Sequence, residues 1–483
     1  MNPFKKINPV IKKVVVIAVL FISSLAHAQE NYPFVAETDS LALQKLEDWK
    51  DWKFGLLMHW GPYSIWGIVE SWSLCPEDEG WTQRTKGNYS SYYEYVKDYE
   101  SLGKQFNPVK FNPGRWAKAA REAGMKYMVF TTKHHDGFNM FDTKQSDYKI
   151  TASWVPFHSN PKADVTKEIF NAFRSEGFGI GAYFSKPDWH SENFWWPYFP
   201  PVTRNVNYDL KKYPERWKKF QDFTYNQINE LMSGYGKVDL LWLDGGWVRP
   251  DSTKDKNIDW ENNIPAGQDV NMPRIAKMCR QLQPGIIIVD RWVPGPFENY
   301  HTPEQQIPEK PLPYPWETCM TMAGSWSYVP NDQYKTTHTI IHNLIDIVAK
   351  GGNYLLNVGP GPDGEWHDEA YVRMKEIGEW MKINGEAIYK TRPIPPYKSG
   401  DVCFTQSKDG KIVYALQLLK ENETLPSAIS FSGLEIPTGS TVQLVGNHQT
   451  LKWKKEGETT TVFLPRNGKL LHAVAVRFIL PKR

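Results

Sequence analysis

Apolar runs that end in a polar residue recur along this chain, and the most informative of them is Val-Asp-Leu-Leu-Trp-Leu-Asp-Gly-Gly-Trp at residues 238–247. Parallel strands that are covered on both faces have nearly continuous apolar sequences. Asp244 is therefore predicted to lie at the carboxyl end of a buried parallel strand, where the catalytic groups of βα-barrels are found. Many parallel strands end in a capping Asp, so the repetition of this arrangement constrains the fold more than the single run does.

Predicted helices alternate with predicted strands through residues 40–358. The helices are expected at residues 40–52, 114–123, 164–177, 214–234, 274–282 and 334–350, and the strands at residues 54–60, 125–132, 179–185, 238–244, 285–290, 316–322 and 353–358. Such alternation predicts a parallel sheet of βα units, and polar residues at most strand ends favour a closed (β/α)8-like TIM barrel. An open doubly wound sheet that binds nucleotides is the alternative, but no GxGxxG motif follows any of these strands.

The sequence changes in character near residues 392–396, which read Arg-Pro-Ile-Pro-Pro. Beyond this point, short alternating runs are separated by Asp-Gly, Asn-Glu, Gly-Asn and Asn-Gly turns, a pattern that predicts a small antiparallel β-domain. We therefore expect three parts: a signal peptide at residues 1–28, a catalytic (β/α) barrel at residues 29–390 and a C-terminal antiparallel β-sandwich at residues 391–483.

Residues 1–28 have the features of a secretory signal peptide. Four Lys residues precede a short apolar stretch. Ala26-His27-Ala28 then offers a cleavage site with a small residue at each end. The apolar stretch, residues 14–25, is too short for a comfortable membrane span. We expect the mature protein to be exported, either to a bacterial periplasm or out of the cell.

Cleavage also changes the charge balance. The whole chain has 57 Lys and Arg against 54 Asp and Glu, and residues 1–28 contain four Lys and no acidic residue. The mature chain therefore has 53 basic and 54 acidic residues, a net charge of −1. This balance gives no electrostatic reason to expect nucleic acid as a partner, or an anionic membrane surface after signal cleavage. The oligomeric state stays open.

Tryptophan and cysteine usage narrow the functional class. The 21 Trp residues are many for a soluble chain, and because indole faces stack on sugar rings they favour a carbohydrate-active protein, although core packing also uses Trp. The four Cys residues form no CxxC pair, so we expect isolated thiols in a large core and no disulfide-stabilised scaffold.

Four motifs occur in order along the predicted barrel. They are Lys53-Phe54-Gly55 followed by His59-Trp60-Gly61-Pro62-Tyr63-Ser64, then Lys133-His134-His135-Asp136-Gly137-Phe138, then Leu241-Trp242-Leu243-Asp244-Gly245, and finally Asp290-Arg291-Trp292. Over roughly residues 38–390 the chain resembles the α-L-fucosidases of glycoside hydrolase family 29. The resemblance implies an exo-acting, retaining α-L-fucosidase that works by double displacement through a covalent fucosyl-aspartate. The implied substrates are fucosylated oligosaccharides or glycoconjugates, and no metal or other cofactor is implied.

The same resemblance implies roles for individual residues. Asp244 corresponds to the family nucleophile, and Glu304 best fits the place of the acid/base, with Glu317 as the alternative. The positions that correspond to sugar-holding residues of the family are His59, His134, His135, Trp242 and Arg291, and Trp72 is expected to serve as a pocket aromatic. The chain departs from the family in reading Glu70-Ser71-Trp72-Ser73 where Glu-Trp-Tyr is common. Phe184 also stands where a Tyr is often found, which removes a possible hydroxyl contact.

The chemistry of a retaining glycosidase restricts these roles further. It needs two carboxyl groups about 5–5.5 Å apart, one ionised as the nucleophile and one protonated as the acid. Asp244 therefore needs hydrogen-bond donors around it, and the acid needs surroundings that raise its pKa. Neighbouring residues on an extended segment point to opposite faces, so His134 and His135 are expected to bind hydroxyl groups and not to share a metal ion. The alternatives are the same fold acting on another α-L-glycoside, such as an α-L-galactoside, and a non-catalytic glycan-binding protein.

Overall fold

Seven buried strands form one parallel sheet at the centre of this computed structural model. The structure describes residues 33–78, 82, 84, 86–421, 423–447, 449–465 and 472–481, so the predicted signal peptide lies outside the described residues. The strands are β1 (Phe54–Met58), β2 (Tyr127–Lys133), β3 (Gly179–Ser185), β4 (Leu240–Asp244), β5 (Ile287–Asp290), β6 (Glu317–Thr321) and β7 (Asn353–Asn357). Their order in the sheet is β5-β4-β3-β2-β1-β7-β6, and all neighbours pair in parallel. The predicted parallel sheet of βα units is thus confirmed.

Helices separate the parallel strands along the chain except β5 and β6, which are joined without a helix. They are α1 (Ser40–Trp52), α2 (Tyr63–Trp66), α3 (Tyr92–Glu100), α4 (Pro113–Glu122), α5 (Val165–Ser175), α6 (Pro214–Gly234), α7 (Asp259–Asn262), α8 (Met272–Leu282), α9 (Thr337–Ala349) and α10 (Asp368–Asn384). Side chains cap the first turns of six of these helices, and the capping residues are Asp39, Ser91, Asn112, Asp164, Asn271 and Thr336. Each accepts a hydrogen bond from a backbone N–H that has no partner within the helix. Among the described residues, no helix is both long and apolar enough to cross a membrane.

The two edge strands of the sheet are connected through an extended segment, residues 298–305. The N–H of Asn299 donates to the carbonyl of Ile288 in β5 at 2.9 Å, and the N–H of Glu317 in β6 donates to the carbonyl of His301 at 2.9 Å. The sequence predicts an eight-stranded (β/α)8-like barrel, whereas the described residues contain seven parallel strands. The segment pairs with β5 through one antiparallel bridge and with β6 in parallel, so it lies between the edge strands without forming a regular eighth strand.

Two antiparallel sheets follow the last barrel helix. Their strands are β8 (Thr391–Ser399), β9 (Val402–Ser407), β10 (Ile412–Leu418), β11 (Ala428–Ser432), β12 (Thr441–Leu444), β13 (Trp453–Glu456), β14 (Thr459–Phe463) and β15 (Ala473–Ile479). One sheet has the order β12-β15-β10-β9-β8 and the other has the order β11-β14-β13. Phe404, Phe431 and Phe478 meet in the core between the two sheets. The two faces pack as the sequence pattern predicts for a small β-sandwich.

The five-stranded sheet also has a second buried face, which packs on the helices around the parallel sheet. Cys403, Leu416 and Ala475 belong to the same hydrophobic cluster as the core of the parallel sheet. Trp380 of α10 donates its indole N–H to the carbonyl of Ala473 at 3.0 Å. An apolar face and a specific hydrogen bond therefore hold the C-terminal strands against the barrel helices, and the carboxyl ends of β1 to β7 carry the polar side chains described next.

Candidate active site

Asp244, the last residue of β4, has hydrogen bonds to both carboxylate oxygens. Its Oδ1 accepts from the N–H of Gly245 at 2.8 Å and from Nη1 of Arg291 at 3.1 Å. Its Oδ2 accepts from the hydroxyl of Tyr183 at 2.7 Å. Gly245 has a φ of +89°, and a Cβ there would lie 2.2 Å from the ring of Pro187, so only glycine fits the turn that directs this N–H at the carboxylate.

These contacts keep the Asp244 carboxyl ionised. Burial raises its pKa, but the nearby Arg291 guanidinium and the hydrogen bonds from Tyr183 and Gly245 outweigh burial and bring the pKa below its usual range. The side chain keeps 15% of its surface exposed, so a ligand can reach it. The Asp244 carboxylate is therefore suited to act as a nucleophile.

Arg291 connects the Asp244 carboxylate to a second acid. Its Nη1 binds Asp244 while its Nη2 forms an ion pair with Glu304. The preceding residue, Asp290, does not compete for this guanidinium, because its carboxylate pairs with Lys186 at 2.5 Å. The carboxyl groups of Asp244 and Glu304 thus both contact one guanidinium.

The two candidate acid/base residues lie in different environments. The side chain of Glu304 is 30% exposed, whereas Glu317 is 0% exposed inside the barrel. Burial raises the pKa of Glu317 to about 7, and its carboxyl accepts a hydrogen bond from the indole N–H of Trp242 at 3.2 Å. The structure therefore brings Glu304 next to the Arg291–Asp244 pair and leaves Glu317 beneath the site, in contact with Trp242.

Glu70 is an acid of the site whose role the sequence analysis left open. It is buried, and its Oε2 has no hydrogen-bond partner among the described residues. Burial raises its pKa to about 7, and the negative charges of Glu304 and Asp244 act in the same direction. The next residue, Ser71, contacts the site directly, because its hydroxyl lies 2.6 Å from Nδ1 of His134. Glu70 therefore adds a third carboxyl group to the site, and it can be neutral at mildly acidic pH.

His59 is held in its neutral form with a lone pair on Nε2. Its Nδ1 lies 2.8 Å from Oδ1 of Asn357. The amide of Asn357 donates to the carbonyl of Trp326 at 2.7 Å, which orients the amide so that Oδ1 accepts from the Nδ1–H of His59. Burial lowers the pKa of His59 to about 4. The Nε2 of His59 is thus an acceptor for a hydroxyl group.

His135 has the same tautomer for a similar reason. The Ser185 hydroxyl donates to the carbonyl of Pro187 at 2.7 Å, so it accepts from the Nδ1–H of His135, also at 2.7 Å. Burial lowers the pKa of His135 to about 3. Its Nε2 lies 3.8 Å from Oδ2 of Asp244 and has no hydrogen-bond partner among the described residues. Two acceptors face each other there, and a hydroxyl group between them could donate to either one.

Trp72 belongs to an aromatic wall beside His135. The ring centres of Trp72 and His135 lie 5.0 Å apart, and Trp72 also contacts Trp189 and Trp247 at 5.5 and 5.6 Å. Trp72 is only half-buried, so part of its ring remains open to a ligand. The predicted pocket aromatic therefore lies beside one of the predicted sugar-binding histidines.

Trp242 supports the site from below. It is 1% exposed and stacks on Tyr183 with ring centres 5.4 Å apart. The guanidinium of Arg291 lies 5.0 Å from the centre of its ring. Because almost none of its surface is open, the structure places Trp242 under the groups that hold Asp244.

Two pocket residues are missing from the sequence-based set. Tyr183 supplies a hydroxyl to Asp244, whereas Phe184 is buried and packs against Nζ of Lys133 at 4.3 Å. The expected loss of a hydroxyl contact at Phe184 is therefore compensated one residue earlier. Trp326 is half-buried, and its ring centre lies 5.2 Å from that of His59. An aromatic residue at a barrel loop was the only signal for it in the sequence.

His134, His135 and Asp244 each place one potential metal-ligand atom within 4.8 Å of the others. The expectation that the two histidines point to opposite faces is wrong, because β2 ends at Lys133 and the two rings lie 4.2 Å apart. The donor set still does not suit a cation, since the guanidinium of Arg291 already binds the Asp244 carboxylate. A cation would have to displace or tolerate this positive charge, so the cluster is better suited to hydroxyl groups.

Comparisons with known proteins agree with this geometry. The family model described as alpha-L-fucosidase matches residues 21–386. Human tissue alpha-L-fucosidase is 29% identical over 463 residues, which cover 90% of this chain and 88% of that protein. The structure of alpha-L-fucosidase isoenzyme 1 from Paenibacillus thiaminolyticus is 28% identical, with a TM-score of 0.72 and coverage of 92% of this chain and 100% of that chain.

A third relative is the alpha-fucosidase of Thermotoga maritima, whose structure was solved in complex with fucose. It is 25% identical, has a TM-score of 0.68, and the match covers 92% of this chain and 100% of that chain. Because the family model matches most of the residues and both relatives of known structure share the fold over their whole length, this chain belongs to the α-L-fucosidase family, glycoside hydrolase family 29.

Proposed function

We propose that this protein is an exo-acting, retaining α-L-fucosidase that removes terminal α-L-fucose from glycans through a fucosyl ester on Asp244. The observation that carries the proposal is the ionised Asp244 carboxylate, which one guanidinium connects to the exposed carboxyl group of Glu304. A retaining glycosidase needs such a pair of carboxyl groups. Membership of the family and the fucose complex of the Thermotoga maritima relative support the same substrate.

The neutral histidines and half-buried indoles fit a deoxy sugar. His59 and His135 offer ring nitrogens that accept hydrogen bonds from sugar hydroxyls, and His134 lies between them, its ring 5.6 Å from that of His59. Trp72 and Trp326 offer apolar faces for the ring carbons and the C6 methyl group. Because His59 and His135 are neutral, they bind the sugar without adding charge beside the Asp244 carboxylate.

The first chemical step joins the sugar to Asp244. The carboxylate attacks C1, the bond between C1 and the leaving oxygen breaks, and Glu304 gives its proton to that oxygen. In the second step a water molecule attacks C1, Glu304 takes a proton from this water, and the ester bond to Asp244 breaks. Two inversions at C1 leave the product with the α configuration of the substrate.

Exposure favours Glu304 over the other acids as the acid/base. In an exo-acting enzyme the sugar fills the pocket and the leaving group lies at its mouth, so the acid has to reach the mouth. Glu304 is the most exposed of the three candidates, whereas Glu70 and Glu317 are buried. Glu304 forms an ion pair with Arg291 in this structure, so it has to exchange Arg291 for the leaving oxygen when substrate binds.

Hydrolysis of 4-nitrophenyl α-L-fucoside, followed by NMR, tests the proposal. We expect α-L-fucose as the first product, and β-L-fucose as the first product would contradict retention. Azide should rescue Glu304→Ala and yield α-L-fucosyl azide, because azide replaces water in the second step, whereas Glu317→Ala should yield none. An adduct in Glu317→Ala alone would move the acid/base to that residue. Turnover of the α-L-galactoside without turnover of the fucoside would favour the alternative sugar.

Replacing Glu70 should change the pH profile of this activity. Burial raises the Glu70 pKa to about 7, so the wild type gains a negative charge near Asp244 and Glu304 as the pH rises through neutrality. That charge should lower kcat on the alkaline side, and Glu70→Gln should remove this fall while keeping activity at pH 5. Glu47→Gln, which alters an ion pair of α1 with Arg392, is the control. If kcat of Glu70→Gln fell at alkaline pH as it does in the wild type, this role would be contradicted.

We further propose that the protein is exported to the periplasm or out of a bacterial cell, with cleavage after Ala28. The small-x-small motif at residues 26–28 supports this site. A mature N-terminus at Gln29, read by mass spectrometry, is the expected result, and an intact N-terminus on the exported protein would contradict it. Residues 29–390 and 391–483 are proposed as the two parts of the mature chain, because the antiparallel sheets have a core of their own.

A further inference from the structure

Arg204 lies on the loop between β3 and α6 and contacts every indole around His135. The carbon of its guanidinium is 5.1 Å from the ring centre of Trp72 and 5.4 Å from that of Trp247. Its backbone carbonyl accepts hydrogen bonds from the indole N–H groups of Trp189 and Trp247, both at 3.2 Å. One residue therefore fixes three indoles, two through their faces and two through their N–H groups.

Two carboxylates hold Arg204 on its other side. Nε donates to Oε1 of Glu77 at 2.5 Å, and Nη2 donates to the two oxygens of Asp78 at 3.1 and 3.2 Å. Both acids follow directly after the short turn that carries Trp72. Arg204 thus ties its own loop to this turn, and its planar guanidinium matches carboxylates and ring faces in a way that a lysine cannot.

The three indoles surround His135. The ring centres of Trp72, Trp189 and Trp247 lie 5.0, 5.2 and 5.2 Å from that of His135. These rings pack around the imidazole whose Nε2 faces the Asp244 carboxylate, and they add to the hydrogen bond with Ser185 that orients it. The packing of the wall therefore bears on where a sugar hydroxyl can bind.

We propose that Arg204 is a positioning residue for sugar binding: it fixes the three-indole wall so that Trp72 and the Nε2 of His135 already have their binding geometry before the sugar arrives. This inference rests on the proposed function and adds to it a residue that does not itself touch the substrate. If the three indoles are already ordered before the sugar binds, no binding free energy is lost in ordering them. Arg204 has no contact with Asp244 or Glu304 among the described residues, so its effect should fall on binding and not on the chemical step.

Arg204→Met tests the proposal, because it keeps the length of the side chain and removes its charge and hydrogen bonds. We expect the KM for 4-nitrophenyl α-L-fucoside and the Kd for L-fucose, measured by calorimetry, to rise about tenfold, the scale of a desolvated cation–π contact, while kcat stays within about twofold. Arg204→Lys should recover only part of this loss, because an ammonium group cannot bind both acids and stack on both rings.

Arg216→Met is the matched control. The guanidinium of Arg216 lies 4.1 Å from the ring centre of Trp196 on the same loop, and its Nη1 donates to the carbonyl of Glu192 at 2.7 Å. It contacts none of the three wall indoles, so KM and the Kd for fucose should not change. Glu77→Gln removes one anchor of Arg204 and should raise KM in the same direction by a smaller factor. If Arg204→Met does not fold, Glu77→Gln tests the proposal in its place.

The outcomes separate this inference from the proposed function. An unchanged KM and fucose Kd in folded Arg204→Met, or a fall in kcat at constant KM, overturns the positioning role. Equal effects in Arg216→Met overturn it as well, because they would show general loosening of the loop. A wild type without α-L-fucosidase activity contradicts the proposed function, whereas an active wild type that is insensitive at Arg204 contradicts only the positioning role.

Discussion

Asp244→Gly is expected to lower kcat for 4-nitrophenyl α-L-fucoside by at least about 10⁴-fold, the scale that accompanies loss of a catalytic nucleophile. The variant removes the carboxylate that bonds to C1, while the histidines, the indoles and Glu304 remain to bind the sugar. Binding of L-fucose should therefore persist at a reduced affinity. A loss of turnover together with retained binding distinguishes an enzyme nucleophile from a residue that only stabilises the end of β4.

The stereochemistry of azide rescue makes this prediction specific. In Asp244→Gly, azide can enter the vacated space and attack C1 once, from the side of the missing carboxylate, which yields β-L-fucosyl azide. Glu304→Ala should yield the α anomer, because azide there opens the ester on Asp244. Asp251→Gly, at an exposed ion pair with Lys254, is the control. Activity of Asp244→Gly above about one hundredth of wild type, or an α-azide product from it, would contradict the assignment.

Element limits and strand ends could be predicted because local signals mark them. The predicted ranges 40–52, 179–185 and 214–234 coincide with α1, β3 and α6. A capping Asp precedes α1, and Pro is the first residue of α6. A few adjacent residues therefore determine where each of these helices begins. Asp244 and Arg291 follow buried apolar runs directly, and parallel strands bring their carboxyl ends together. The central acid and its guanidinium were therefore predictable.

Features that depend on distant pairing could not be predicted in the same way. Tyr183 and Phe184 face opposite sides of β3, and only the pairing of Tyr183 with Trp242 in β4 decides which ring reaches Asp244. The segment 298–305 carries no apolar run, yet its backbone bonds connect β5 and β6. Sequence spacing sets neither the register nor the neighbours of a loop, so these contacts had to come from the structure.

The proximity of His134 and His135 is another feature that could not be predicted from the sequence. The expectation that they point to opposite faces assumes an extended segment, but β2 ends at Lys133 and both residues lie in the turn that follows. Their Nδ1 atoms are held by Ser71 and Ser185, which lie on different segments of the chain. The hydrogen bonds that orient the two rings are thus a property of the assembled site, although the histidines themselves were predicted.

Arg291→Met should lower kcat/KM near pH 6 by about 10²–10³-fold, the scale for removing one preorganised electrostatic contact at a reacting group. In the wild type, burial raises the Asp244 pKa, but the charge of Arg291 together with the hydrogen bonds from Tyr183 and Gly245 outweighs burial and brings the pKa below its usual range. Without the charge of Arg291, the Asp244 pKa moves upward. Asp244 is then neutral at acidic pH and cannot attack C1.

The sign of the pH dependence separates this mechanism from a general loss of structure. Activity of Arg291→Met should rise with pH as Asp244 ionises, whereas the wild type keeps Asp244 ionised throughout the acidic range. Arg291→Lys keeps the positive charge and should keep the wild-type acidic limb while losing part of kcat, since an ammonium group cannot bind both carboxylates as the guanidinium does. An acidic limb in Arg291→Met that matches the wild type would show that Arg291 does not control the ionisation of Asp244.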